Sequence, residues 1–177
     1  MVEESERMGR ILGEFLNFSR PVTDLSLTKM AVADMVRDVL TFHEGMASEG
    51  DVTLALVAEP TGVALRVDHR KLKQVLVNLL QNALHVSPAG STVTVTVAQA
   101  AAGPVEIYLD DSGPGLAVSV AERVMEPGVT TKGGGTGLGL TIARAIVQQH
   151  GGQLELVNRA GGGCRASVTL PTGTAVA

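Results

Sequence analysis

The stretch Gly133 to Leu140 reads Gly-Gly-Gly-Thr-Gly-Leu-Gly-Leu and runs straight into Thr141-Ile-Ala-Arg-Ala-Ile-Val-Gln-Gln-His150, which reads as a helix. No other stretch constrains the chain as strongly. Glycine at this density lets the backbone take positive φ and come close to a ligand. A glycine loop that opens a helix aims free N–H groups and the positive end of the helix dipole at one point, which suits phosphate. A flexible surface loop has the same composition. The stretch fits neither familiar phosphate motif. A P-loop carries Lys-Ser/Thr after its last glycine, where this chain has Leu140-Thr141. A dinucleotide-binding turn follows a strand, and Glu126-Pro-Gly-Val-Thr-Thr-Lys132 is not a clean strand. Either this is a phosphate loop of another kind or it binds nothing, and the rest of the chain must decide.

The chain has 177 residues, room for one ordinary domain and an appendage. Hydrophobic residues make up 45% and aromatic ones 2%, so a core must be built from Val, Leu, Ala and Met. A net charge of −4 argues against non-specific nucleic-acid binding, which wants a basic surface. Cys164 is the only cysteine, which excludes an internal disulfide. Its alternation with Ala166 and Val168 reads as a buried strand position rather than a reactive thiol. No apolar run is long enough to span a bilayer and no signal peptide is visible. The segment therefore reads as cytoplasmic, and a membrane anchor upstream in the parent protein stays open.

Met8, Ile11, Leu12, Phe15 and Leu16 repeat at helical spacing, and Pro21 predicts the end of that helix near Arg20. The stripe needs a partner, either the domain's own surface or a second copy. Leu25 to Met30 is a short strand candidate. Val32, Met35, Val36, Val39, Leu40, His43 and Met46 mark one face of a helix, with His43 as a satisfied core or boundary residue. Asp51 to Val57 and Val63 to Val67 read as strands split by the turn signal Pro60-Thr-Gly62.

Asp68 is a good N-cap for a helix running to about Val86, with Leu72, Val75, Leu76, Leu79, Ala83 and Val86 on its buried face. Asn78 and Asn82 stack four residues apart beside that face. Amides there need partners, and two readings stand: bonds to nearby backbone, or carbonyl oxygens turned to a hard cation. Thr92 to Ala98 and Val105 to Leu109 read as a hairpin through Ala102-Gly-Pro104. It ends in Asp110-Asp-Ser-Gly-Pro-Gly115, either a plain Asx turn or a carboxylate that accepts from a ligand ring brought close by glycine. His150-Gly-Gly152 reads as a helix C-cap. Leu154 to Val157 and Cys164 to Leu170 form a last hairpin across Ala160-Gly-Gly-Gly163, and the tail after Pro171 has no apolar pattern.

Four signals stand in one order: Asn78-Leu-Leu-Gln-Asn82-Ala, Asp111-Ser-Gly113-Pro-Gly115, Glu126-Pro-Gly-Val-Thr-Thr-Lys132 and Gly135-Thr-Gly137-Leu-Gly139-Leu. Together they closely resemble the N, G1, F and G2 boxes of sensor histidine kinases, within the Bergerat-fold ATPase superfamily. The short lid resembles the nitrogen-regulation subgroup. The resemblance implies a two-layer α/β (α+β) sandwich, with a mixed, mostly antiparallel sheet covered on one face by helices. It implies a catalytic domain over residues 22–172, preceded at 1–21 by the second helix of a dimerisation and phosphoacceptor hairpin and followed at 173–177 by a disordered tail.

The resemblance also implies roles. Asn82 would hold Mg²⁺ with Asn78 in support. Asp111 would accept from the adenine amino group, and Gly113 and Gly115 would let the base sit close. Lys132 would reach the phosphates, and Gly135, Gly137 and Gly139 would cradle them, with Thr131, Thr136, Leu138 and Leu140 as further ATP contacts. Asn78 and Lys132 would be the catalytic pair. His85 stands where relatives often carry a polar or basic residue near the phosphates. The implied cofactors are ATP and Mg²⁺. The implied partners are ATP or ADP, a phosphoacceptor hairpin, a response-regulator receiver domain and a second copy in the full-length protein.

Two departures stand out. Met125, Gly128 and Val129 replace the phenylalanines usual in the F box. None of the four histidines lies in the His-Glu/Asp-x-x-Asn/Thr-Pro acceptor motif. Three rivals remain. A gyrase- or chaperone-type ATPase typically carries Glu where Asn78 stands, and an amide cannot act as general base. An anti-sigma serine kinase shares these boxes, but the Glu3–Pro21 helix and the lid spacing speak against it. A non-enzymatic scaffold would not need the glycine and asparagine boxes intact.

Overall fold

Val93, Val95 and Val97 alternate with Thr92, Thr94 and Thr96, so a pleated strand buries every valine on one side; the three are at most 2% exposed. The same alternation builds the rest of the main sheet. The structure, a computed structural model, describes residues 25–58, 64–99, 103–121, 123–130 and 136–172. The helix expected from Glu3 to Arg20, the turn at Pro60-Thr-Gly62 and the tail 173–177 lie outside the described residues. Within them the order is β1 (Thr28–Ala31), α1 (Val32–Glu49), β2 (Thr53–Ala58), β3 (Ala64–Val67), α2 (His69–Val86), β4 (Thr92–Gln99), β5 (Val105–Asp110), α3 (Val118–Ala121), α4 (Gly139–Gln149), β6 (Gln153–Asn158) and β7 (Cys164–Leu170).

The five-stranded sheet runs β2-β4-β5-β7-β6. Only β2 and β4 are parallel; β4–β5, β5–β7 and β6–β7 are antiparallel. Both expected hairpins form. β3 leaves the main sheet and pairs antiparallel with β1, from Thr28 opposite Val67 to Ala31 opposite Ala64. Alternation identified β2 and β3 as strands, but it carries no information about partners. The first strand also begins later than read, at Thr28 rather than Leu25.

Helices α1, α2 and α4 cover one face of the sheet. Met35, Val36 and Val39, then Leu72, Val75 and Leu79, then Ile142, Ala143 and Val147 meet Val95, Ile107, Leu109, Val168 and Leu170 in one cluster. The other face carries Thr94, Thr96, Tyr108 and Ser167, all part-exposed. This is the two-layer arrangement expected. Truncating a fully buried member such as Leu72 costs roughly 2–5 kcal/mol. His43 belongs to this core at 3% exposure, with Nδ1 2.8 Å from the Val39 carbonyl. Cys164 is buried too, and burial, reinforced by the Asp111 charge, pushes its thiol up to about 11, as suits an unreactive strand residue. Val86, expected on the buried face of α2, is 37% exposed instead. It is the last residue of α2 and covers a loop rather than the sheet.

Asp68 caps α2 as read. Its Oδ1 accepts from the Lys71 N–H at 3.1 Å, and its Oδ2 from the Ser26 N–H at 3.1 Å. Burial acts to raise this carboxyl. The two N–H bonds and the Lys71 and Arg70 charges outweigh it and hold the group below its usual range. At the far end of α4, Gly151 takes φ +71°, the left-handed stop expected there.

Candidate functional site

Asn78, Asn82 and Val86 follow one another at four-residue steps, so they share one side of α2, each about 6 Å beyond the last. The two end members each hold a loop. Asn78 Nδ2 donates to the carbonyl of Gly139, the first residue of α4, at 3.0 Å. Val86 lies on Gly113, where an added Cβ would stand 2.7 Å from Val86 Cγ2 and 2.9 Å from Val86 O. The glycine loop and the Asp-Ser-Gly-Pro-Gly turn therefore sit at the two ends of one stripe, with half-buried Asn82 midway.

At the Val86 end, Asp111 is 7% exposed. Its Oδ1 accepts from the Gly113 N–H at 2.9 Å and the Cys164 N–H at 3.0 Å. This is the Asx turn anticipated as one reading, reinforced from β7. Among the described residues, no hydrogen bond engages Oδ2. The neighbouring Asp110 is committed elsewhere. Arg165, directly opposite it on β7, grips it with two 2.7 Å bonds and lies 4.9 Å over the Tyr108 ring. Arg159 Nη1 donates to the Asp111 carbonyl at 2.9 Å. Of two adjacent carboxylates, one oxygen of Asp111 is left to receive a donor.

The glycines here serve packing first. Gly113 makes room for Val86, and Gly115, at φ +77°, for Asn158. Asn158 accepts from the Leu116 N–H at 2.6 Å and donates to its carbonyl at 2.9 Å. Sequence reasoning assigned both glycines to a ligand and missed Asn158, Arg159 and Arg165. None of the three left a signal, because the facing of Asp110 and Arg165 comes from a pairing of β5 with β7 that alternation does not reveal.

At the Asn78 end, α4 starts with no side-chain cap, and its first internal bond runs from the Ile142 N–H to the Leu138 carbonyl at 2.9 Å. The N–H groups of Gly139, Leu140 and Thr141 have no acceptor among the described residues. Gly137, at φ +66°, lies against the backbone of Gly128 and Val129 and accepts from the Gly128 N–H at 3.2 Å. Thr141 Oγ1 donates to the Met125 carbonyl at 3.1 Å, so residues 125–129 rest on the loop. Thr136 Oγ1 accepts from the Leu138 N–H at 3.4 Å. Leu138 and Leu140 pack against the core, so they offer a ligand backbone only. Thr131, Lys132 and Gly135 lie outside the described residues. His85 is exposed, three residues past Asn82 on the same side of α2.

The donors suit a hard cation. Asn78 spends its nitrogen on Gly139 and keeps its oxygen. Among the described residues no group of three His, Cys, Asp or Glu side chains is placed to hold a metal. Amide oxygen without such a cluster fits Mg²⁺, which keeps its waters and takes substrate phosphates as ligands. No helix among the described residues is long and apolar enough to cross a membrane.

The family described as "Histidine kinase-, DNA gyrase B-, and HSP90-like ATPase" matches residues 67–174. The sensor histidine kinase ZraS of Escherichia coli O157:H7 is 33% identical over 171 residues, covering 97% of this chain. The chain spans 37% of that relative's length. The catalytic domain of the histidine kinase ThkA superimposes with a TM-score of 0.77 at 27% identity, over 83% of this chain and 96% of that one. Full-length ShkA in complex with AMPPNP superimposes with a TM-score of 0.85 at 28% identity, over 99% of this chain and 38% of that one.

Proposed function

Because the chain belongs to the histidine kinase-, DNA gyrase B- and HSP90-like ATPase family, on its sensor histidine kinase branch, we propose that it binds Mg·ATP along α2 and forms the catalytic part of such a kinase. The observation that carries this reading is the pair of ties on one side of α2, Asn78 to Gly139 and Val86 to Gly113. They hold a base site and a phosphate site about 12 Å apart, eight residues along one helix. The AMPPNP complex of ShkA supports the ligand class.

Asp111 Oδ2 accepts from the adenine amino group. The N–H groups that open α4, with Gly135, Gly137 and Gly139, meet the phosphates, and Lys132 adds a cation. Asn82 supplies an oxygen to Mg²⁺, with Asn78 behind it. When bound, the ion neutralises phosphate charge. The chain's own task is to orient the γ-phosphoryl group toward a histidine on a separate hairpin, for relay to a response-regulator aspartate. Residues 1–21 belong to that hairpin, 22–172 form the ATP domain, and the full-length protein acts as a homodimer in the cytoplasm, where ATP is. An amide whose nitrogen is tied to Gly139 takes no proton from water, which argues against a hydrolytic role.

Titration of the chain with ATP, with and without Mg²⁺, tests the reading. Binding strengthened by Mg²⁺ is expected; no binding under either condition overturns it.

A further inference from the structure

Asp68 and His150 are 82 positions apart in the chain and meet at the end of the α2–α4 pair far from the glycine loop. His150 Nε2 accepts from the Asp68 N–H at 3.0 Å, and Nδ1 lies 2.8 Å from the Ile146 carbonyl. A backbone N–H only donates and a carbonyl only accepts, so Nε2 is bare and Nδ1 carries the proton. The ring is 3% exposed, too enclosed for water to replace either bond readily. Its two bonds hold the ring in one orientation.

The pair sits in a series. Asp68 meets His150, Lys71 Nζ donates to Gln149 Oε1 at 3.1 Å, and Asn78 meets Gly139. Numbers rise along α2 as they fall along α4, so the helices are antiparallel and α4 is pinned at both its ends to the first half of α2. Ten residues separate Asp68 from Asn78 and eleven separate Gly139 from His150, about 15 and 17 Å of helix. The base end of the site is held differently, through Val86 of α2 and Cys164 of β7.

We infer that His150 is a positioning residue for the nucleotide's phosphates: it fixes α4 along α2 and so sets the glycine loop against Asn78 and Asn82. It touches no nucleotide itself. The inference rests on the nucleotide reading above. It goes beyond the capping role that His150's place at a helix end suggests.

The test compares the parent chain with His150→Ala and His150→Gln, titrating each with Mg·ATP and with adenosine and checking each fold by circular dichroism. Losing one buried hydrogen bond should weaken Mg·ATP binding by His150→Ala about three- to tenfold, with adenosine binding unchanged. His150→Gln, which can accept from Asp68 and donate to Ile146, should recover most of the loss. Equal loss for both ligands marks a merely structural residue and overturns the inference, as does parental Mg·ATP affinity in folded His150→Ala. A parent that binds no ATP fails at the nucleotide reading itself and takes this inference with it. Should His150→Ala not fold, the ¹⁵N ring shifts of His150 in the parent decide. An Nδ1-protonated ring whose Nε2 signal moves with Mg·ATP but not with adenosine is expected. An Nε2-protonated ring, or the same response to both ligands, overturns it.

Discussion

The Asn78 amide nitrogen and the Gly139 carbonyl oxygen are 3.0 Å apart, across 61 positions of sequence, and their bond joins the middle of α2 to the first turn of α4. Asn78→Asp replaces that donor with a second acceptor facing a carbonyl. Mg·ATP affinity should fall about tenfold or more, the cost of an unpaired half-buried group. Calorimetry checks it. A gain in affinity would mean that the carboxylate reaches the metal instead, and the tie to Gly139 would not be what orders the loop.

Asp111→Asn should change which base is accepted. The amide oxygen must stay on the Gly113 and Cys164 N–H groups, so the NH₂ takes the place of Oδ2. It then meets the adenine amino group donor to donor. Adenosine should bind about tenfold or more weaker, the loss of a charge-assisted bond. Guanine presents an acceptor at that ring position, so the parent should reject guanosine and the variant should narrow the gap. Competition binding with the two nucleosides reads the ratio; an unchanged ratio would move the base elsewhere.

Asn82→Ala should lower affinity for ATP in the presence of Mg²⁺ and leave adenosine alone. Asn82 is midway between the two loops and holds neither of the ties at the ends of the stripe. Removing Mg²⁺ from the parent should produce the same weakened state. If Mg²⁺ improves ATP binding to the variant as much as to the parent, the ion is held by other groups.

Asp68 ties acid stability to the start of α2. Its carboxyl is held below the ordinary 3.8 in the folded chain, so its contribution is complete above that value. The contribution fades as pH falls through the lower folded value. Asp68→Asn keeps an N-cap oxygen and removes the titration, so its urea midpoint should depend less on pH below about 4. Asp68→Ala should cost about 1–2 kcal/mol at neutral pH. Parallel acid limbs for parent and Asp68→Asn would assign the acid sensitivity to other carboxylates.

The chain should incorporate no acid-labile phosphate from γ-labelled ATP. His43 and His150 are each 3% exposed and bonded to backbone carbonyls. His69 opens α2 at the end away from the loop, and His85 stands exposed in the last turn of α2, on the same helix proposed to hold the nucleotide rather than on an element free to approach it. A hairpin carrying the His-Glu/Asp-x-x-Asn/Thr-Pro motif, added to the reaction, should be labelled on that histidine. Strong labelling of the chain itself would show that one of its own histidines reaches the γ-phosphoryl group.

What the sequence made readable was local. The Asp68 cap, the left-handed stop at Gly151 and the β6–β7 hairpin each depend on a few neighbouring residues, and each forms where expected. Partners were not readable, because alternation names a strand and not its neighbour; the pairing of β3 with β1 was hidden for that reason. His150 is the helix C-cap expected, but its ring bond to Asp68 was not readable, because the two are 82 positions apart. Gly113 and Gly115 were assigned to a ligand without any protein neighbour, since the need for a missing Cβ is visible in sequence but not the protein atoms that also need the space. Here those atoms belong to Val86 and Asn158.

β5 is the middle strand of five, bonded along both edges, and Asp111 is the first residue beyond it. The carboxylate proposed to read the base thus hangs from a strand bonded along both edges, whereas the glycine loop leads into a helix held by core packing through Ala143 and Val147 and by side-chain bonds to α2. The proposed site is therefore anchored by backbone ladders at one end and by side-chain packing and bonds at the other. A nucleotide entering such a site should settle by its base before its phosphates are gripped. On warming, the advantage of ATP over adenosine should fade while adenosine is still held.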